Sequence, residues 1–296
     1  MIYIVISNLN TGGIVTMPKK DASVNQITEG VIWKQLLIFF FPIMLGTLFQ
    51  QLYNTADAVV VGRFVGTKAL AAVGGSTGQI TNLIVNFFVA LASGATVIIA
   101  RYYGAKNKKD LNDTLHTAAA LSVVGGILTT IAGIALAPVL LKMMKTPADV
   151  MPDSVTYLRI YFAGIIFVFI YNVGSAILRA VGDSTRPLYF LIVCCFINIF
   201  LDILLVVGFN MGVAGAAIAT VISQVVSAIL IIHALMKSTD MYRLEPRKIR
   251  FHKFLLVSII TIGLPAGIQS IMYNISNIII QTSLNDLGTD LSLIHI

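Results

Sequence analysis

Asp57 and Asp202 are the two acids that fall inside the long apolar stretches of this chain. An ionisable group at bilayer depth costs roughly 2.5–3.5 kcal/mol on insertion scales, so such groups face a bundle interior or an aqueous cavity and mark ion or proton pathways. Polar side chains recur near them at helical spacing. Gln50, Tyr53, Asn54 and Asp57 stand at i, i+3, i+4 and i+7, on one helical face. Gln79, Asn82 and Asn86 repeat that pattern, and Gln269, Tyr273, Asn277 and Gln281 are spaced four apart. A single stripe reads as interhelical glue, at about 0.6 kcal/mol per hydrogen bond. Three stripes favour a water-accessible cavity.

Asn198 and Asp202 are one turn apart, so both point the same way. The segment that follows is small-faced: Gly212, Gly215, Ala216, Ala219, Thr220 and Ser223 allow close helix approach and leave the Thr220 hydroxyl free to reach a neighbour. Asn172 is a further lone amide, a type that by itself reads as structural. Carboxylate, amide, hydroxyl and backbone carbonyl are hard oxygen donors. They suit a small hard cation, or a carboxylate that alternates between protonated and ionised forms. The rival reading makes Arg159 a structural counter-ion to one aspartate. Cys194 and Cys195 are vicinal within an apolar run and read as packing residues, with no disulfide framework.

The elements that must position these groups follow from composition. Hydrophobic residues make up 57% of the 296 and charged ones 11%, with mean hydropathy +0.90, against about 25% charged in soluble domains. The apolar runs are continuous over about 20 residues rather than alternating, which predicts an all-α polytopic membrane protein and excludes an outer-membrane barrel. Seven spans are expected, at residues 36–60, 78–101, 115–141, 155–178, 187–207, 213–236 and 254–283, the last carrying Pro265. A net charge of +7 and pI near 9.4 would fit nucleic acid, but the placement argues otherwise. Fifteen of the twenty lysines and arginines fall on one side of the predicted membrane, four (Arg63, Lys68, Lys142 and Lys145) on the other, and Arg159 within a span. Positive-inside logic puts the N-terminus and the basic side in the cytoplasm. Neither nucleic acid nor an obligate protein partner is expected.

Both ends read as foreign to the fold. Residues 1–16 lack the basic n-region of a signal peptide, and Met17 is the more plausible start. Leu291–Ile296 (LSLIHI) matches what a transposase sequencing adapter encodes in one frame, so the gene is expected to run on beyond it. The predicted divisions are 1–32 as an N-terminal cytoplasmic segment, 33–236 as six spans, 237–253 as a basic loop, 254–290 as a seventh helix, and 291–296 as the artefact.

Four segments, in order, carry a family likeness. The stretch PIMLGTLFQQLYNTADAVVVGRFVGTKALAAVG resembles the opening of multidrug and toxic compound extrusion (MATE) transporters, as do AILRAVGDSTRPLY, NIFLDILLVVGFNMGVAGAAIATVISQ and GLPAGIQS. The resemblance spans roughly residues 25–290 and implies twelve helices in two six-helix lobes, of which this chain would hold the N-terminal lobe and helix 7. Pro42, Asn54, Gly66 and Thr67 pair with Pro265, Asn277, Gly288 and Thr289 across that repeat if one gap is allowed. Members exchange sodium ions or protons for cationic drugs and metabolites and use no cofactor. The family's N-lobe cation site is carried by residues matching Asp57, Asn172, Asn198, Asp202 and Thr220, with the carbonyl of Ala216. Some branches place an acid on helix 7, where this chain has Tyr273.

The function these observations imply is cation-coupled efflux of amphipathic, cationic compounds by alternating access in the bacterial inner membrane. Gln50, Tyr53, Asn54, Gln79, Asn82, Asn86, Gln269, Tyr273 and Asn277 would line the substrate cavity. A lipid-linked saccharide flippase of the same superfamily is the alternative. An intramembrane aspartyl protease also needs two membrane aspartates, but its Tyr-Asp and Gly-x-Gly-Asp contexts are missing: the residues here are Ala56-Asp57 and Leu201-Asp202. No metal-ligand cluster, phosphate loop or nucleophilic triad is legible, so no enzyme is expected.

Overall fold

In hydrocarbon every backbone N–H and C=O must be satisfied inside its own segment, so long apolar runs become helices. The computed structural model describes residues 32–238 and 240–285. They form α1 (Ile32–Phe64), α2 (Thr67–Gly74), α3 (Ser76–Gly104), α4 (Lys108–Met143), α5 (Met151–Ala180) and α6 (Thr185–Asp202). A π-helical segment, Ile203–Gly208, continues α6, and α7 (Gly212–Lys237), a 3-10 turn at Pro246–Lys248 and α8 (Lys253–Asn285) complete the described chain. No strand occurs among the described residues. Seven stretches are long and apolar enough to cross a membrane, the second made of α2 and α3 together.

Most of the helices outrun their expected spans at both ends. A 33-residue helix such as α8 is about 50 Å long at 1.5 Å per residue, against about 30 Å of hydrocarbon. Hydropathy registers the hydrocarbon part only, while backbone hydrogen bonding carries the helix on into the headgroup region. Residues 1–16, Met17, Gly288, Thr289 and Leu291–Ile296 lie outside the described residues.

Where the chain breaks, local chemistry accounts for it. Gly66 takes φ +119° between α1 and α2, a region that L side chains rarely adopt. The carbonyls freed at the α2–α3 break accept from one hydroxyl: Thr77 Oγ1 donates to Ala72 O, and to Val73 O at 2.8 Å. Asn107 caps α4, accepting from the Asp110 amide at 3.3 Å and donating to Asp110 Oδ2 at 2.8 Å.

The main core lies between α3, α4, α5 and α7, with Phe88 and Phe169 stacked at 3.7 Å between ring centroids. Helix α1 rests chiefly on α6, and α3 packs most extensively against α8. The α3–α8 crossing is a glycine contact. A Cβ at Gly94 would fall 2.2 Å from Ile259 O, and one at Gly263 would fall 2.2 Å from Leu91 O. Helix α8, expected to open a second lobe, is therefore packed along the first. Its far end is tied down by Asn285, whose amide nitrogen donates to Ser76 Oγ at 2.9 Å and to Met144 O at 2.7 Å.

The basic loop between α7 and α8 is fastened to the start of α4. His116, 1% exposed, holds Asn112 O at 2.7 Å through Nδ1, while its Nε2 accepts from the Glu245 amide at 3.0 Å. Asn112 donates to Arg243 O at 3.2 Å, and His252 Nε2 lies 3.5 Å from Asp113 Oδ1. Tyr242 and Leu244 enter the main core.

Candidate functional site

Asp57 on α1, Asn198 and Asp202 on α6 and Thr220 on α7 converge between three helices, at 7%, 0%, 0% and 4% exposure. The Asn198 carboxamide, oriented by the acceptors it faces, donates to Asp57 Oδ1 at 2.8 Å and Asp202 Oδ2 at 3.2 Å. Thr220 Oγ1 donates to Asp57 Oδ2 at 3.5 Å. The two carboxyl groups thus meet across one amide nitrogen. Asp202 Oδ1 receives no N–H or hydroxyl donor among the described residues.

Two carboxyls this close cannot both be bare anions; they need a shared proton or an intervening cation. A single amide with two N–H bonds holds both, which the one-turn spacing of Asn198 and Asp202 makes possible. The helix widens into the π segment directly after Asp202, a distortion common at functional sites. An apolar wall that includes Val60, Val61, Tyr157, Val206, Val213 and Ala216 packs beside the cluster. Ala216 is part of this wall, buried, and lies on the same face of α7 as Thr220.

The remaining expected residues lie elsewhere. Asn172 on α5 donates to Val168 O at 2.8 Å. It lines a separate cavity of about 160 Å³ between α1, α5 and α6, together with Gln50. Arg159 is exposed, and no ion pair among the described residues includes it. Tyr53 is half-buried beside Asp57, and Gln79 and Asn277 are half-buried. Gln50, Asn54, Asn82, Asn86, Gln269 and Tyr273 are exposed, where inward-facing stripes were expected. Gln50 is exposed at the edge of the cavity it shares with α5 and α6, and the others project from α1, α3 and α8 away from the buried core.

Tyr157, buried in the wall beside the acids, and Tyr161, stacked with it at 6.3 Å, escaped the sequence reading. Their four-residue spacing inside an apolar span was the available signal, the same pattern that picked out the other stripes.

Seven membrane-length helices, three of which enclose a buried pair of acids, define a polytopic helical membrane protein with an ionisable core. The family model MatE matches residues 42–204, and the chain belongs to the MATE family. It is 32% identical over 261 residues to the probable multidrug resistance protein YpnP of Bacillus subtilis, covering 88% of this chain and 58% of that protein. The probable multidrug resistance protein YoeA of the same organism is 30% identical over 266 residues, covering 88% and 57%. The fold is similar to an outward-facing multidrug resistance MATE transporter at TM-score 0.78 and 28% identity, over 85% of this chain and 56% of that one. The chain thus spans somewhat over half the length of the relatives it matches.

Proposed function

We propose that the protein exports small amphipathic, cationic compounds across the bacterial cytoplasmic membrane in exchange for Na⁺ or protons, with its N-terminus in the cytoplasm. The observation that carries this is the buried Asp57–Asn198–Asp202–Thr220 cluster, with an Asp202 oxygen left open to a proton or cation. The names of the B. subtilis relatives support the multidrug reading.

In this reading the coupling ion competes with the protein's own hydrogen bonds. Asn198 and Thr220 tie Asp57, and with it α1, to α6 and α7. A proton or Na⁺ on the pair weakens those ties. Because α1 rests chiefly on α6, a change at this cluster alters how α1 is held. Pro42 lies inside α1 and lacks the N–H that would stiffen the helix there, so bending is cheapest at that turn. The bend biases the outward-facing state, and substrate leaves as the ion enters.

The test is ethidium efflux from reconstituted vesicles, with proton and sodium gradients imposed separately. Asp57→Asn and Asp202→Asn are each expected to slow coupled efflux by at least about tenfold, the scale of losing one charge-assisted contact. Wild-type rates in both variants would refute the coupling role.

A further inference from the structure

We infer that the cavity between α1, α5 and α6 binds the phosphate headgroup of an anionic lipid, held by the Arg179 guanidinium. Arg179 stands in the last turn of α5, half-buried, and lines this cavity with Ser184, Gln50 and Asn172. Among the described residues no carboxylate lines it, and no ion pair includes Arg179. The acid nearest in sequence, Asp183, is engaged elsewhere. It accepts from the Thr185 and Arg186 amides at 3.2 and 3.1 Å and pairs with Arg186 Nε at 2.9 Å. A guanidinium drawn partly out of water with no carboxylate beside it presents its planar fork of donors to an oxyanion. The Ser184 hydroxyl is buried and does not cap α6, so it stands as a further donor beside Arg179.

Size and place select the occupant. The cavity, about 160 Å³, exceeds the ~10–15 Å³ one water requires and falls short of the ~300–1,000 Å³ of drug-sized sites. A compact headgroup fits, and a transported drug does not. The end of α5 belongs to the same side as Arg101, Lys106, Lys108, Lys109 and Lys237, where basic pockets between helices take anionic headgroups. Phe41 and Met44 on α1 and Tyr189 on α6, next to lining positions, are exposed apolar surface for acyl chains. A free phosphate ion would have no use for that surface.

The experiment is native mass spectrometry of the protein released from phosphatidylcholine nanodiscs doped with phosphatidylglycerol. Wild type is expected to retain phosphatidylglycerol about tenfold better than Arg179→Gln, the scale of one charge-assisted hydrogen bond. Arg101→Gln, exposed at the same end, is expected to behave as wild type. Gly46→Val offers an independent route should Arg179→Gln fail to fold. A Cβ there makes ordinary contacts, 3.7 Å to Leu191 Cδ2 and 4.0 Å to Leu188 Cδ1, so a larger side chain fills the cavity and is expected to lower retention without touching Arg179. Equal retention by wild type and either folded variant would overturn the proposal. Displacement of the lipid by inorganic phosphate alone would overturn the lipid source and leave a free-oxyanion site.

Discussion

Asn198 is the residue on which the acid cluster depends, because its amide serves two buried carboxyls at once. Asn198→Leu is expected to lower stability by about 1–3 kcal/mol, the cost of leaving buried acceptors without donors. The loss should shrink when Asp57→Asn is already present, since one of the two acceptors is then changed. Thermal unfolding in detergent measures both, and strictly additive losses would show that the residues do not interact. Asp57 and Asp202 were legible in the sequence because a charge in an apolar run is conspicuous. Tyr157 was not, because an aromatic ring in a membrane helix looks like ordinary packing until the fold buries it in the wall beside the two acids. Asn172 and Arg159 show the opposite case. The family resemblance put Asn172, and charge put Arg159, near the acids, but side-chain direction, which periodicity fixes only within one helix, sends them elsewhere.

Helices α3 and α8 meet at a point with no room for side chains. Gly94→Val is expected to force α8 off α3, since its Cβ would meet backbone rather than a yielding side chain. A fall in thermal midpoint well beyond that of Gly104→Ala, where a Cβ meets open space, is the expected readout. The α7–α8 loop supplies a second test. His116→Ala removes the acceptor for the Glu245 amide, a loss of about 1 kcal/mol or more. Trypsin should then cut at Arg243, Arg247, Lys248 and Arg250 several-fold faster, and an unchanged cleavage rate would mean that the loop's other ties, Asn112 to Arg243 O, His252 to Asp113 and the core packing of Tyr242 and Leu244, suffice to hold it. Helix existence was plain from apolar run length. The α2–α3 break and the π segment were not, because both keep the apolar composition of a continuous helix and differ only in how backbone bonds are paired.

Across the bundle, charge asymmetry predicts orientation. A thiol-reactive reagent confined to the cytoplasmic face is expected to label Lys108→Cys and spare Lys145→Cys, with the reverse from outside. Labelling of both from one face would contradict the proposed topology. Composition and run length were enough for the membrane class, the helical architecture and the count of spans, because the bilayer penalises every unsatisfied backbone group and every stray charge in the same way whatever the packing. They were also enough to single out the two aspartates. Only the packed structure shows that Asn198 bridges them and Thr220 adds a third helix, that Asn172 belongs to another cavity with Arg179, and that several polar stripes on α1, α3 and α8 are left exposed. Those outcomes depend on which helix faces which. That is set by close contacts such as Gly94 against Gly263, where an ångström of clearance decides the neighbour and the spacing of polar residues along one helix carries no record of it.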